Sequence, residues 1–343
     1  MKFVGGLSVL MLAAGIVTLS SCGKSAEATK TVTITLAGNS VARGVYENGL
    51  IPAFKDAYAK AHPGEKVEFR QTYEGSGAQT RAILAGLKAD VAALTLAPEM
   101  EKLAAAGLVA KDWAAASKGG SPATSVVVIV VRPGNPKKIH DWPDLTRQDV
   151  DVVFPNPETS GAAQWNVAAI YGAYENALAT GTVDDLSNPG APNSWHLLRD
   201  IRHRTKVFGK SGREAMQIFS SGVGDALVGW ECEALERKAA GDQLEIVYPT
   251  KTIRMEPPVA VVIPKGQVTN GAAVEFVQFL TTPEAQRIYA EHHFRPRDAD
   301  VAKEAGSDLP AVTGLFGIDD IGGWAAVQKV LFGPEGLWAK AGQ

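Results

Sequence analysis

Short strand-like runs alternate with longer helix-like stretches along this chain, and a turn of small or hydroxyl residues joins most of them. Residues 31–36 alternate apolar and polar side chains as a strand does. Asn39-Ser40 then opens a helical stretch through Tyr46, Leu50, Phe54 and Tyr58, which His62-Pro-Gly64 stops. Residues 67–73 lead through Gly75-Ser76-Gly77 into a helix, and residues 90–94 through Pro98 into a short helix ending at Gly107. A second series takes residues 150–156 into a helix at Ser160, residues 206–208 into Ser211-Gly212, and residues 225–230 into a helix around residues 233–238. This alternation predicts an α/β fold of mainly parallel sheets with helices on both faces. At 343 residues the chain exceeds one typical domain, which suggests two lobes. Two continuous apolar runs, residues 125–131 and 259–263, are candidates for the crossing between the lobes and the return.

The amino terminus bears on the compartment. Lys2 precedes an apolar stretch from Val4 to Leu19, closed by Leu19-Ser20-Ser21-Cys22, the pattern of a signal peptide. Its ending resembles the bacterial lipobox, which would make Cys22 the lipid-bearing first residue of a mature extracytoplasmic chain. Residues 1–21 would be the leader and residues 22–30, polar and small, the tether. Losing the leader removes one Lys and no acid, so the formal charge moves from −3 to −4. A mildly acidic chain with no basic run or basic-aromatic interleaving argues against nucleic acid as a partner. Apart from Cys22 only Cys232 remains, so no internal disulfide forms, and Cys232 reads as a packed small hydrophobe.

Five strand-to-helix turns carry the chemistry: Asn39-Ser40, Gly75-Ser76-Gly77, Ser160-Gly161-Ala162, Ser211-Gly212 and Gly229-Trp230. The first N–H groups of a helix have no partner within it, and the helix dipole makes the space before them attractive to an anion. In open α/β sheets ligands sit beyond the carboxyl ends of the strands, where these turns lie. Two of the turns precede the first crossing run and three follow it, so a ligand held by all five would sit between lobes. Glycine and alanine admit close approach of the backbone, while Ser hydroxyls and the Trp indole add neutral donors. Arg213, next to Ser211-Gly212, is the one positive side chain at these turns. Such a site can hold an ionised oxyanion and rejects a protonated one, whose O–H would face only donors. An unmatched buried polar group costs about 1–3 kcal/mol, roughly 5- to 150-fold per mismatch.

These residues resemble the periplasmic sulfate/thiosulfate-binding proteins of ABC importers. The matching segments are Glu74-Gly-Ser-Gly77, Val131-Arg-Pro-Gly-Asn-Pro-Lys-Lys-Ile-His-Asp-Trp142, Pro155-Asn-Pro-Glu-Thr-Ser-Gly-Ala-Ala-Gln-Trp-Asn166, Gly224-Asp-Ala-Leu-Val-Gly-Trp-Glu-Cys-Glu-Ala234 and Phe294-Arg-Pro-Arg-Asp-Ala-Asp-Val301. The resemblance implies a two-lobed type II binding fold that closes on its anion, with residues 31–126 and 260–343 in one lobe and 127–259 in the other. It places the family's hydroxyl and main-chain donors on Ser76, Ser160, Gly161 and Ala162, and its indole donor on Trp230. It further implies a non-catalytic monomer without cofactor, lipid-anchored in the periplasm, that hands sulfate or thiosulfate to a membrane permease.

Two places depart from the family. Its first turn usually reads Tyr-Asp-Pro-Thr-Arg-Glu, where this chain has Gly38-Asn-Ser-Val-Ala-Arg43, so the donor falls on Asn39 or Ser40. Its Ser-Gly-Ala-Arg-Gly loop is shortened to Ser211-Gly-Arg213, which leaves Gly212 as the donor. Glu74 reads either as a solvated carboxylate or as an acceptor for a protonated guest, which would favour phosphate or another tetrahedral oxyanion. Glu231 and Glu233 read as solvated acids at a helix start. Arg213, Arg295 and Arg297 read as structural pairing groups rather than anion contacts. The six histidines show no metal-ligand spacing. A secreted serine hydrolase acting through Ser76 or Ser160 lacks the Gly-x-Ser-x-Gly context, and a sensor docking on a membrane kinase would use the same closed shape as a transport receptor.

Overall fold

The computed structural model describes Met1 and residues 29–117, 120–174, 193–263, 266, 268–306 and 309–342. The leader, Cys22 and the tether up to residue 28 lie outside the described residues. The first half runs β1 (Lys30–Asn39), α1 (Arg43–Val45), α2 (Ile51–Ala61), β2 (Glu65–Glu74), α3 (Ser76–Leu84), β3 (Val91–Ala93), α4 (Ala97–Ala105), β4 (Ala123–Val131), β5 (Val152–Pro155) and α5 (Gly161–Tyr174). There follow α6 (Ser194–Arg204), β6 (Thr205–Gly209), α7 (Gly212–Ser220), β7 (Ala226–Trp230), α8 (Glu231–Ala239), β8 (Glu245–Val247), β9 (Thr252–Met255) and β10 (Val259–Val261). The tail adds α9 (Gly271–Phe279), α10 (Pro283–Glu291), β11 (Arg295–Pro296), α11 (Ala299–Glu304), β12 (Leu315–Phe316), α12 (Gly323–Val327) and α13 (Leu337–Lys340). Among the described residues no helix is long and apolar enough to cross a membrane.

Two sheets organise these elements. The first has the order β10-β3-β1-β2, with β1 parallel to both β2 and β3. Register sets Asn39 beside Glu74 and Gly38 beside Ala93, so three strands stop at one level and their following loops project together. The second sheet has the order β12-β9-β4-β7-β5-β6, with β8 and β11 also paired to β4. Its strands β5, β6 and β7 run parallel and feed helices α5, α7 and α8 at a second common edge.

The two continuous apolar runs supply the antiparallel pairings. β4 runs antiparallel to β7, β8, β9 and β11, and β10 antiparallel to β3. All nine residues of β4 are buried because both of its faces are covered. Val127, Ile129 and Val131 belong to the core cluster that also holds Phe154 and Trp165, while Val126, Val128 and Val130 belong to the one that holds Met216 and Phe219. Full burial of each such side chain stabilises by about 1.5–3 kcal/mol. β4 therefore lies wholly in the second sheet, and the chain crosses just ahead of it rather than along it.

The tail contributes to both sheets. α9 packs on the first, its Phe276 against Phe54 and Phe69. β11 and β12, however, pair with β4 and β9 of the second sheet. Trp338 of α13 stacks on Phe154 of β5 at 5.5 Å. One contact that holds β11 there is with Glu231, a fully buried carboxylate at the start of α8 that needs a partner. Arg295 of β11 reaches it through two hydrogen bonds, Nε to Oε2 and Nη2 to Oε1, each of 2.6 Å.

Candidate functional site

The carboxyl ends of the two sheets face one another across a narrow cavity. From the first sheet its wall takes Asn39, Ser40, Val41, Glu74, Gly75, Ser76 and Thr95. From the second it takes Ser160, Gly161, Ala162 and Gly212. Seven of the eight residues expected at the site are thus brought together, from Asn39 to Gly212, 173 positions apart. Trp230 is not among the lining residues. Among the described residues no Lys or Arg lines the cavity.

On the first side, Asn39 ends β1 and is 3% exposed. Its Oδ1 accepts from the Ala42 N–H at 3.0 Å and its Nδ2 donates to the Ala93 carbonyl at 3.3 Å, so it shapes the turn that presents Ser40. Ser76 opens α3 after Gly75, whose extended backbone lets the strand end and the helix begin without a loop. The Ser76 hydroxyl oxygen accepts from the Thr95 N–H at 2.7 Å and lies 2.6 Å from Thr95 Oγ1. Thr95 was missed in the sequence because its turn carries neither Gly nor Ser; the hydroxyl directly after the β3 run was the available signal.

On the second side, the Ser160 hydroxyl oxygen caps α5, accepting from the Ala163 N–H at 3.4 Å. Gly161 and Ala162 follow as the first residues of α5, whose early N–H groups have no intrahelical partner. Gly212 opens α7 behind its N-cap Ser211, which accepts from the Glu214 N–H at 3.1 Å. A Cβ on Gly212 would lie 3.3 Å from Val41 and 3.4 Å from Ala162, so glycine allows three loops to meet there. The Trp230 indole N–H donates to the Ala162 carbonyl at 3.4 Å, a long bond that ties β7 to α5. The Ser76 hydroxyl is paired with Thr95 and that of Ser160 with a backbone N–H, neither with an imidazole.

Contacts across the cavity are intimate. Trp165 Nε1 of α5 donates to the Thr95 carbonyl at 2.7 Å. Arg213 Nε of α7 donates to the Ser40 carbonyl at 3.1 Å, and its Nη2 lies 3.6 Å from Glu236. A Cβ at Gly161 would fall 2.1 Å from Thr95 Oγ1, and one at Gly75 would fall 2.6 Å from the Thr159 carbonyl. Glycine at both positions is what lets the two sides approach this closely.

Beside the cavity, α8 begins straight from β7 with no loop between them, so its first turn is buried. This corrects the expectation that Glu231 and Glu233 are solvated: they are 0% and 3% exposed. Glu231 is held by Arg295 and by the Tyr248 hydroxyl at 2.8 Å. Burial pushes the Glu233 carboxyl up to about 7, with Glu236 reinforcing the rise and Arg213 and Arg237 opposing it. Arg297 pairs with Glu256 at 3.0 Å. Cys232 is buried, its thiol raised well above the ordinary range by desolvation. Among the described residues no three His, Cys, Asp or Glu side chains gather where they could hold a metal.

The chain is similar to known proteins over most of its length. The model of the bacterial extracellular solute-binding protein family matches residues 45–295. A sulfate-binding protein from Synechococcus elongatus is 34% identical, covering 98% of this chain and 95% of its own. Another from Salmonella typhimurium is 37% identical over 82% of this chain and 85% of its own. Among solved structures, the sulfate-binding protein SubI from Mycobacterium tuberculosis is 33% identical, with a TM-score of 0.77, covering 88% of this chain and 99% of its own.

Proposed function

Because the chain belongs to the bacterial extracellular solute-binding proteins, among relatives named for sulfate and thiosulfate, we propose that its cavity captures sulfate, or thiosulfate, for delivery to a membrane importer. The observation that carries this reading is the convergence of the α3, α5 and α7 N-termini on one cavity lined by hydroxyls and small residues, with no Lys or Arg in its wall among the described residues. Unpartnered N–H groups at three helix starts give a dianion several charge-assisted hydrogen bonds. Donors held in a water-poor cleft need no neighbouring cation to stabilise it. After desolvation and closure, such a cage is consistent with micromolar or better affinity, about −8 kcal/mol.

Binding proceeds by hinge closure. One side supplies Asn39, Ser40 and Ser76; the other supplies Ser160, Gly161, Ala162 and Gly212. The Trp165–Thr95 and Arg213–Ser40 bonds bridge the two sides, so they form only as the lobes meet and add to the closed state. Trp230 joins the cage when its indole N–H leaves the long bond to Ala162 for the anion. The importer reads the closed shape. Lipidation of Cys22 would keep the receptor at the outer surface of a membrane, as a monomer beside its permease.

A phosphate receptor is the second reading, and Glu74 in the cavity wall is the observation in its favour, since a carboxylate can accept from a protonated guest. Calorimetric titration of the purified chain with sulfate, thiosulfate, phosphate, molybdate and tungstate decides between them. Tight sulfate binding that stays flat from pH 5 to 8 supports the proposal. Affinity that follows phosphate ionisation near pH 7 would replace it.

A further inference from the structure

Thr95 follows β3, is 3% exposed, and lines the cavity beside Ser76. Its backbone carbonyl is taken by Trp165 from across the cleft, and its Oγ1 lies against Gly161 at the start of α5. A hydroxyl has one proton to give and two lone pairs to fill. The Ser76 oxygen already accepts the Thr95 N–H at 2.7 Å, and Thr95 Oγ1 stands 2.6 Å away. The 2.6 Å contact can run either way, but among the described residues Ser76 is the one hydrogen-bonding partner of Thr95 Oγ1, so with the Thr95 O–H donating there both lone pairs of Ser76 are filled and only its proton is left to offer.

We infer that Thr95 makes Ser76 a one-way hydroxyl, able to donate to a guest but unable to accept from it, and thereby sets this chain's preference for proton-free oxyanions. The inference rests on the reading of the cavity as an oxyanion site and adds a specificity-determining residue to it. The hydroxyl chain Thr95 to Ser76 to guest also polarises the terminal O–H, strengthening its donation to a dianion. A guest carrying its own proton finds no acceptor at Ser76. Glu74 also stands in the wall, and no Thr95 variant alters it.

The test compares sulfate and phosphate dissociation constants by calorimetry at pH 8, where phosphate is a dianion that still carries one proton. Thr95→Val keeps the shape and removes the hydroxyl; Thr95→Ser keeps the hydroxyl. The sulfate-over-phosphate preference should fall about tenfold or more in Thr95→Val and stay within about threefold of wild type in Thr95→Ser. Thr95→Ala provides the same loss of hydroxyl should the valine variant fail to fold. A wild-type preference retained in Thr95→Val or Thr95→Ala overturns the inference while leaving the sulfate reading intact. A wild-type protein that does not take up sulfate overturns the reading itself, and that result is visible before any variant is made.

Discussion

Gly161→Ala should separate anion binding from folding. The added methyl would lie 2.1 Å from Thr95 Oγ1 and 3.0 Å from the Leu96 side chain, where ordinary contact begins at 3.4 Å. The shortfall against Thr95 is about 1.3 Å, and the buried Thr95 side chain cannot yield it without releasing Ser76. The lobes must then part by about that distance, which stretches the 2.7 Å Trp165–Thr95 bond beyond hydrogen-bonding range. Losing that bond, at about 1 kcal/mol, and misaligning two or three donors to the anion sums to about 3–4 kcal/mol. That corresponds to a 10²- to 10³-fold rise in the sulfate dissociation constant. Alanine suits the first turn of a helix, so α5 should fold as before and the melting temperature without anion should change little. Tryptophan fluorescence titration and thermal melting report both quantities. Affinity within threefold of wild type would refute the idea that the cavity works by close approach of the two sides at this glycine.

Burial lifts Glu233 from its ordinary 4.5 to about 7, so the folded chain keeps a proton there that the unfolded chain has released. The stability this lends is complete below pH 4.5 and is lost as pH rises through 7; Glu233→Gln should therefore gain about 2–3 kcal/mol on wild type between pH 5 and pH 8 in urea denaturation. Equal pH slopes in the two proteins would show that Glu233 titrates normally. Arg213→Ala removes the donor to the Ser40 carbonyl and should weaken sulfate binding about 5- to 10-fold, mainly through faster release in stopped-flow traces. Trp230→Phe keeps the ring, deletes the indole N–H and should lose about 1–3 kcal/mol of binding; an unchanged titration would remove Trp230 from the cage.

The turns of the site were legible because their chemistry is local. Gly75-Ser76 and Ser160-Gly161 announce a strand ending and a helix beginning, and such turns lie where α/β sheets bind ligands. Thr95 was not legible in this way. Its place depends on β3 lying beside β1 with Ala93 opposite Gly38, a pairing between segments far apart in the chain. The burial of Glu231 is likewise a long-range fact, since its partner Arg295 arrives from 64 residues away. The same ion pair ties β11 to the second sheet, a contact that the tail's helical pattern alone could not tell. The strand–helix alternation foretold the parallel strands that feed α3, α5 and α7, but not the antiparallel partners that β4 gathers on an all-apolar run.

One doubly charged, proton-free anion should sit among the α3, α5 and α7 helix starts. Selenate, a sulfate isostere with a strong anomalous signal, tests it most directly in a crystal of the protein grown with the ion. A single strong selenium peak is expected within hydrogen-bonding distance of Ser76 Oγ, Ser160 Oγ and the Gly161 N–H. A peak elsewhere, or a cavity filled only by water at saturating selenate, would contradict it.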